Sequence, residues 1–179
     1  LFVPGNQEKM LIKAAGFEIK WLIPDLEDSV PAGEKEAARG IVAEHIPILA
    51  QAGKLLAPRV NSMISGLAEA DINAIVSNEI VGISIGKISN VGEVKVLEQI
   101  LTAAEERANV AIGHTTILPW LETAEAVINA YAICTSSDRI RWTAFGAEDF
   151  SASMGISRTV DETDPTSTDE PGLAYARAA

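Results

Sequence analysis

Two short acidic stretches hold the residues best suited to chemistry: Leu121-Glu122-Thr123-Ala124 and Gly146-Ala147-Glu148-Asp149-Phe150. Each follows an apolar run with strand character, residues 116–120 and 140–145, so each sets a carboxylate just past a strand's C-terminal end. Inside a buried strand an unpaired acid would be ruinous, because its desolvation goes uncompensated. Just beyond the strand it faces an open site. Two acids from separate strands, Glu122 and Asp149, suit a hard divalent cation such as Mg²⁺, which takes one or two carboxylates and leaves its other positions to water and substrate. Acids at strand-to-helix turns suit helix N-caps equally well, and spacing alone leaves both readings open.

Other charged residues fall at similar places. Arg59 follows Leu55-Leu56-Ala57-Pro58 and is either a counter-charge for nearby acids or a fork for a substrate carboxylate. Asp25, Glu27 and Asp28 end a second strand, and Lys87 ends a fourth. Lys9 and Lys13, i and i+4 on a first helix, flank a strand-to-helix junction that favours anions, or are solvated surface lysines. Cys134, the single cysteine, lies in an Ala/Ile-rich helix and reads as a core thiol. His45 reads as a surface or packing side chain. His114 precedes the fifth strand, at the end opposite Glu122, and is not expected to be a ligand.

The elements that position these residues are six strand-then-helix units with no hairpin signal. That pattern demands parallel strands with helical crossovers. In the second strand Pro24 is out of keeping with a central position. Asn6 is a candidate N-cap for the first helix, and Pro47 is expected to kink or break the long helix over 31–51. Ala124, Val127, Ile128 and Tyr131 mark the inner face of a later helix. Residues 161–171 read as a flexible loop, and 173–179 restart a helix.

Chemistry-bearing side chains end five of the six strands, as in a (β/α)₈ barrel. An open doubly wound sheet would gather them at one switch point, and no Gly-x-Gly-x-x-Gly follows a strand. A barrel needs about 250 residues, and at least about 200. The expected fold is therefore α/β, a TIM-type (β/α)₈ barrel lacking its last two βα units. It forms a single domain over 1–179 that opens in mid-strand and is incomplete at both ends.

Bulk properties narrow the partners. With 47% hydrophobic and 22% charged residues, the chain has the composition of an ordinary globular protein. A formal net charge of −11 argues against nucleic acid or an anionic membrane as main partner. There is no apolar run long enough to span a bilayer, and no signal peptide is visible in these residues. One cysteine fits a reducing cytoplasm or organelle matrix.

In sequence order the chain carries Leu1-Phe2-Val3-Pro4-Gly5-Asn6, Asp25-Leu26-Glu27-Asp28-Ser29-Val30, Arg59-Val60-Asn61-Ser62, Glu122-Thr123-Ala124, Gly146-Ala147-Glu148-Asp149-Phe150 and Tyr175-Ala176-Arg177. In these it resembles the citrate lyase β-subunit-like branch of the HpcH/HpaI aldolases, which includes malyl-CoA and citramalyl-CoA lyases. The resemblance implies a TIM-type barrel in homotrimers or hexamers with Mg²⁺ in the site. By that resemblance Glu122 and Asp149 fall on the metal ligands, and Arg59 on the arginine that meets substrate beside the metal. Phe2, Lys9 and Lys13 fall on positions that contact acyl-CoA, and Asp28 and Glu27 act behind these, through metal-bound water or by holding Arg59. The implied reaction is cleavage of a 3-hydroxyacyl-CoA (malyl-, citramalyl- or citryl-CoA) to acetyl-CoA and a 2-oxo acid. A Mg²⁺-dependent aldolase of free 2-oxo acids without CoA and a catalytically silent CoA-thioester-binding subunit are the alternatives. The chain departs from the family pattern at Pro24, at Gly86-Lys87-Ile88-Ser89 in place of Pro-Lys-Val-Glu, and in the 161–171 loop. The family's final two units, absent here, carry a catalytic aspartate that serves a neighbouring subunit.

Overall fold

Short apolar runs form parallel strands in a computed structural model that describes residues 1–155 and 171–178. The strands are β1 (Phe2–Pro4), β2 (Trp21–Asp25), β3 (Leu55–Leu56), β4 (Arg59–Val60), β5 (Gly82–Ile85), β6 (Thr116–Leu121) and β7 (Ala144–Phe145). The helices between and after them are α1 (Glu8–Ala15), α2 (Lys35–Gln51), α3 (Ala68–Ile75), α4 (Val91–Ala108), α5 (Ala124–Ile128), α6 (Ala130–Cys134), α7 (Ala147–Ser153) and α8 (Pro171–Ala178). In the sheet the order is β1-β2-β4-β5-β6-β7, with β3 also on β2, and every pairing is parallel.

Neighbours in the sheet are thus neighbours in sequence. Parallel crossovers are right-handed, so a sheet wound in one direction collects its helices on one face. Accordingly α1 packs on α2, α2 on α3, α3 on α4, and α4 on α6. The result is an open half-barrel, wound as a barrel is and unlike a doubly wound sheet. In β6, Ile117, Pro119 and Leu121 point into the helix layer while Thr116, Leu118 and Trp120 alternate onto the inner wall. Near the strands' N-terminal ends that inner wall is apolar. Trp21, Ile23, Ile83, Leu118 and Trp142 line a hollow of about 320 Å³ there.

Several expectations are revised. The third strand is split into β3 and β4. The register Leu22↔Leu56 and Asp25↔Arg59 sets Pro24 opposite Pro58. Ile23 N donates to Leu1 O and Leu26 N to Arg59 O, so the nitrogen of Pro24 faces the gap between β3 and β4. With no N–H on Pro24 the ladder breaks there, which is how β2 tolerates that proline. Helix α2 runs through Pro47 without a break. Ile46 and Leu49, on either side of it, are 2% and 1% exposed. Burying two such side chains is worth about 1.5–3 kcal/mol each, enough to offset the ~3 kcal/mol of a helix proline. Asn6 is not the cap of α1; Gln7 takes that position without a side-chain bond, and Asn6 Nδ2 donates to Glu34 Oε2 at 2.7 Å.

The stripe over 124–131 divides at Asn129 into α5 and α6, which rotates Ile128 and Tyr131 outward to 85% and 84% exposure. His45 is buried against Ile41 O, and His114 Nε2 lies 3.0 Å from Ile80 O, so both have packing roles. Cys134 is half-buried and packed against the core. In α8, Leu173 and Ala176 pack on Phe150. Residues 161–170 of the expected loop lie outside the described residues. Among the described residues no helix is long and apolar enough to cross a membrane.

Candidate active site

The strand register assembles the site. Pairing of Asp25 with Arg59 puts a carboxylate beside a guanidinium on adjacent strands. Arg59 Nε and Nη2 donate to Asp25 Oδ1 and Oδ2, both at 2.7 Å, a two-pronged bond. The same carboxylate accepts Glu27 N at 2.9 Å and Ser29 N at 3.1 Å, which shapes the acidic turn after β2. Lys35 Nζ fixes that turn from outside by donating to the carbonyls of Leu26 and Glu27. Burial alone would raise the pKa of Asp25, but Arg59 and the two N–H groups outweigh it and hold the carboxyl below its ordinary range. Arg59 is driven the other way by the surrounding acids, so its charge is permanent. Its third edge, Nη1, reaches Asp28 Oδ2 at 3.1 Å and Glu27 Oε2 at 3.4 Å. The Phe2 ring supports the guanidinium from 5.0 Å and leans on Trp120, whose Nε1 donates to Ser84 Oγ.

Glu122 lies past the end of β6 and is 4% exposed. Its Oε1 accepts the Lys87 N–H at 2.9 Å. Two glycines form the slot that admits it: a Cβ on Gly146 would stand 2.3 Å from Oε2, and one on Gly86 would stand 2.5 Å from Oε1. Burial, then the charges of Asp149 and Glu27, push the Glu122 carboxyl up to about 7 against the opposing pull of Lys87. Asp149 sits in the first turn of α7 with its carboxylate 43% exposed to the same opening. The N-cap alternative is ruled out by the caps themselves. Thr123 caps α5 by accepting Ala126 N at 3.0 Å, and Gly146 occupies the cap of α7. Phe2, Asp28, Arg59, Trp120, Glu122 and Asp149 line one open cavity of about 390 Å³ at the C-terminal ends of the strands.

Six of the eight residues singled out from sequence meet here: Phe2, Glu27, Asp28, Arg59, Glu122 and Asp149. Lys9 and Lys13 do not. They stand exposed on α1 outside the cavity wall, and Lys13 belongs to the helix's last turn, away from the strand-to-helix junction. From sequence, Asp25 and Lys87 stand at strand ends without an assigned role; the structure brings both into the site. Asp25 was signalled by its place at the end of an otherwise apolar strand, where a buried carboxylate needs a cation or N–H groups to satisfy it.

As a cation site the donor set is all oxygen. Among the described residues there is no cluster of three or more His, Cys, Asp or Glu ligands. Two converging carboxylates are nevertheless enough for Mg²⁺, and the glycine slot at Gly86 and Gly146 holds one of them at the strand end. The residues fit such an ion.

A parallel half-barrel with acids and a fixed arginine at its strand ends defines a barrel-type site of the kind used by many enzymes. The chain belongs to the HpcH/HpaI aldolase/citrate lyase family, which matches residues 1–179. It is 32% identical over 161 residues to the citrate lyase subunit beta of Leuconostoc mesenteroides subsp. cremoris, covering 90% of this chain and 53% of that one. To the mitochondrial citramalyl-CoA lyase of Homo sapiens it is 27% identical over 177 residues, covering 92% and 51%. These relatives are lyases, and the chain spans about half the length of the curated relatives it matches. Its fold is similar to that of a citrate lyase beta subunit from M. tuberculosis complexed with oxaloacetate and magnesium, with a TM-score of 0.76 at 22% identity, covering 99% of this chain and 69% of that one.

Proposed function

We propose that the full-length protein is a Mg²⁺-dependent carbon–carbon lyase that cleaves a 3-hydroxyacyl-CoA of the malyl-, citramalyl- or citryl-CoA type into acetyl-CoA and a 2-oxo acid. The observation that carries this reading is the convergence of Glu122, Asp149 and Arg59 on one cavity at the strand ends. The magnesium and oxaloacetate bound by the M. tuberculosis relative, and the thioester named in the human one, support its extension to this chain.

Glu122 and Asp149 would hold the ion, which supplies Lewis-acid stabilisation of charge on the acid's oxygens. The remaining work belongs to the chain. Cleavage takes the proton from the hydroxyl, leaves a carbonyl on the acid, and passes the bonding electrons to the thioester as an enolate, which is protonated to acetyl-CoA. Arg59 is held rigid by Asp25, so it meets developing negative charge without reorganising. Phe2 and Trp120 make an apolar wall beside it, which lowers the local dielectric and strengthens that interaction. Lys9 and Lys13, exposed on α1, would meet the phosphates of CoA. The family resemblance extends the reading to a homotrimer or hexamer.

The test is turnover by full-length Glu122→Ala and Asp149→Ala proteins. Both substitutions should abolish Mg²⁺-dependent release of acetyl-CoA while leaving the circular dichroism spectrum intact. Retained turnover would sink the assignment.

A further inference from the structure

Lys87 closes β5 with φ at +61°, a backbone conformation that non-glycine residues seldom adopt. Two contacts depend on it. The N–H donates to Glu122 Oε1 at 2.9 Å. The side chain turns back over the acidic turn, so that Nζ lies 3.1 Å from Glu27 Oε1, 3.5 Å from Asp28 Oδ1 and 3.9 Å from Asp149 Oδ2. One residue thereby touches four carboxylates. Arg59 cannot substitute for it, because two of its nitrogens are committed to Asp25. Glu27 is 5% exposed, and its Oε2 accepts no hydrogen bond among the described residues. A buried carboxylate whose second oxygen has only the 3.4 Å approach of Arg59 Nη1, beside an ammonium shared among three acids, marks a cluster with room for more positive charge.

Building on the proposed Mg²⁺ site, we propose that Lys87 is an internal counter-cation: its ammonium holds Glu27, Asp28 and Asp149 together in the metal-free protein and withdraws from Asp149 when a divalent cation binds there. The two cations repel, and both are drawn to the same carboxylate. The Lys87 side chain is 34% exposed, so a path outward exists, and its four-carbon stem is flexible enough to take it. The unusual backbone angle has a purpose on this reading. It aims the N–H at one metal ligand and the ammonium at the other.

The experiment compares full-length wild type, Lys87→Met and Lys87→Gly by Mn²⁺ titration followed by electron paramagnetic resonance, and by thermal midpoints with and without Mg²⁺. Glycine accepts the positive φ, keeps the N–H and removes the ammonium, so it separates charge from backbone strain and serves if Lys87→Met does not fold. Removing a unit charge a few ångströms from the ion should tighten Mn²⁺ binding about tenfold or more. The metal-free midpoint should fall, and Mg²⁺ should raise it further than in wild type. Lys95→Met, an exposed change on α4, should alter neither. Unchanged or weaker Mn²⁺ binding in both Lys87 variants overturns the proposal. Wild-type binding that Glu122→Gln abolishes would leave the metal site itself standing. Absence of Mn²⁺ binding in wild type and variants alike would overturn the metal site, and the displacement with it.

Discussion

Glu105→Gln tests whether a single buried ion pair holds the region that leads to Asp149. Glu105 is fully buried in α4, and Arg139 Nη1 and Nη2 donate to its two oxygens at 2.8 and 2.7 Å. Thr115 N and Gly113 N donate to the same carboxylate at 2.7 and 2.8 Å. Burial would raise its pKa, but Arg139 and these N–H groups pull it down from 4.5 to about 2. At about 1.4 kcal/mol for each tenfold change in proton affinity, that depression is worth about 3 kcal/mol of stability at neutral pH. Breaking a buried pair by removing one partner costs about 3–5 kcal/mol, so the two routes agree. The sign follows from the depression. The contribution is present in full above the unfolded value of 4.5 and is lost as pH falls toward 2. Urea unfolding followed by far-ultraviolet circular dichroism should therefore give a wild-type advantage of about 3 kcal/mol at pH 7, narrowing below about pH 4.5. A gap under about 1 kcal/mol at pH 7, or one that does not narrow with acid, would refute the reasoning. Because the Arg139 carbonyl accepts Ile117 N at 2.8 Å, the folded variant should also hold the approach to β7 less firmly.

Asp25→Asn should destabilise the protein by about 3 kcal/mol or more in guanidinium unfolding at pH 7, since it leaves Arg59 without its two-pronged partner. The depressed Asp25 carboxyl contributes above its ordinary value of 3.8 and loses that contribution as pH falls below it, so an advantage that grows with acid would contradict the pairing. Gly146→Ala is a purely steric test. The backbone there has φ −93°, open to alanine, but the added Cβ would stand 2.3 Å from Glu122 Oε2 and 2.7 Å from Glu122 Cβ. It should leave the fold intact and weaken Mn²⁺ binding by about tenfold or more; an unchanged titration would show that Glu122 does not need that slot.

The parallel winding was legible because six apolar runs alternate with helical stripes and no hairpin turn intervenes. Glu122, Asp149 and Arg59 were legible for a related reason: charge just beyond an apolar run has nowhere to go except the strand end. Those features are local, and local patterns survive in one dimension. What the tertiary structure decided is pairwise. The Asp25–Arg59 bond depends on strand register, which brings together residues 34 apart in the chain. The split of the third strand depends on register, which sets the nitrogen of Pro24 against the gap between β3 and β4. The outward turn of Ile128 and Tyr131 depends on a helix break at Asn129 that the apolar stripe conceals. Lys87 gave only a charge near a strand end. Its reach to Glu27, Asp28 and Asp149 follows from one backbone angle and three separate strand ends. Sequence by itself determined which residue types stand at the strand ends, because burial is read residue by residue. Only the folded chain decided which charges neutralise which, because Coulomb energy depends on separations that only the folded chain sets.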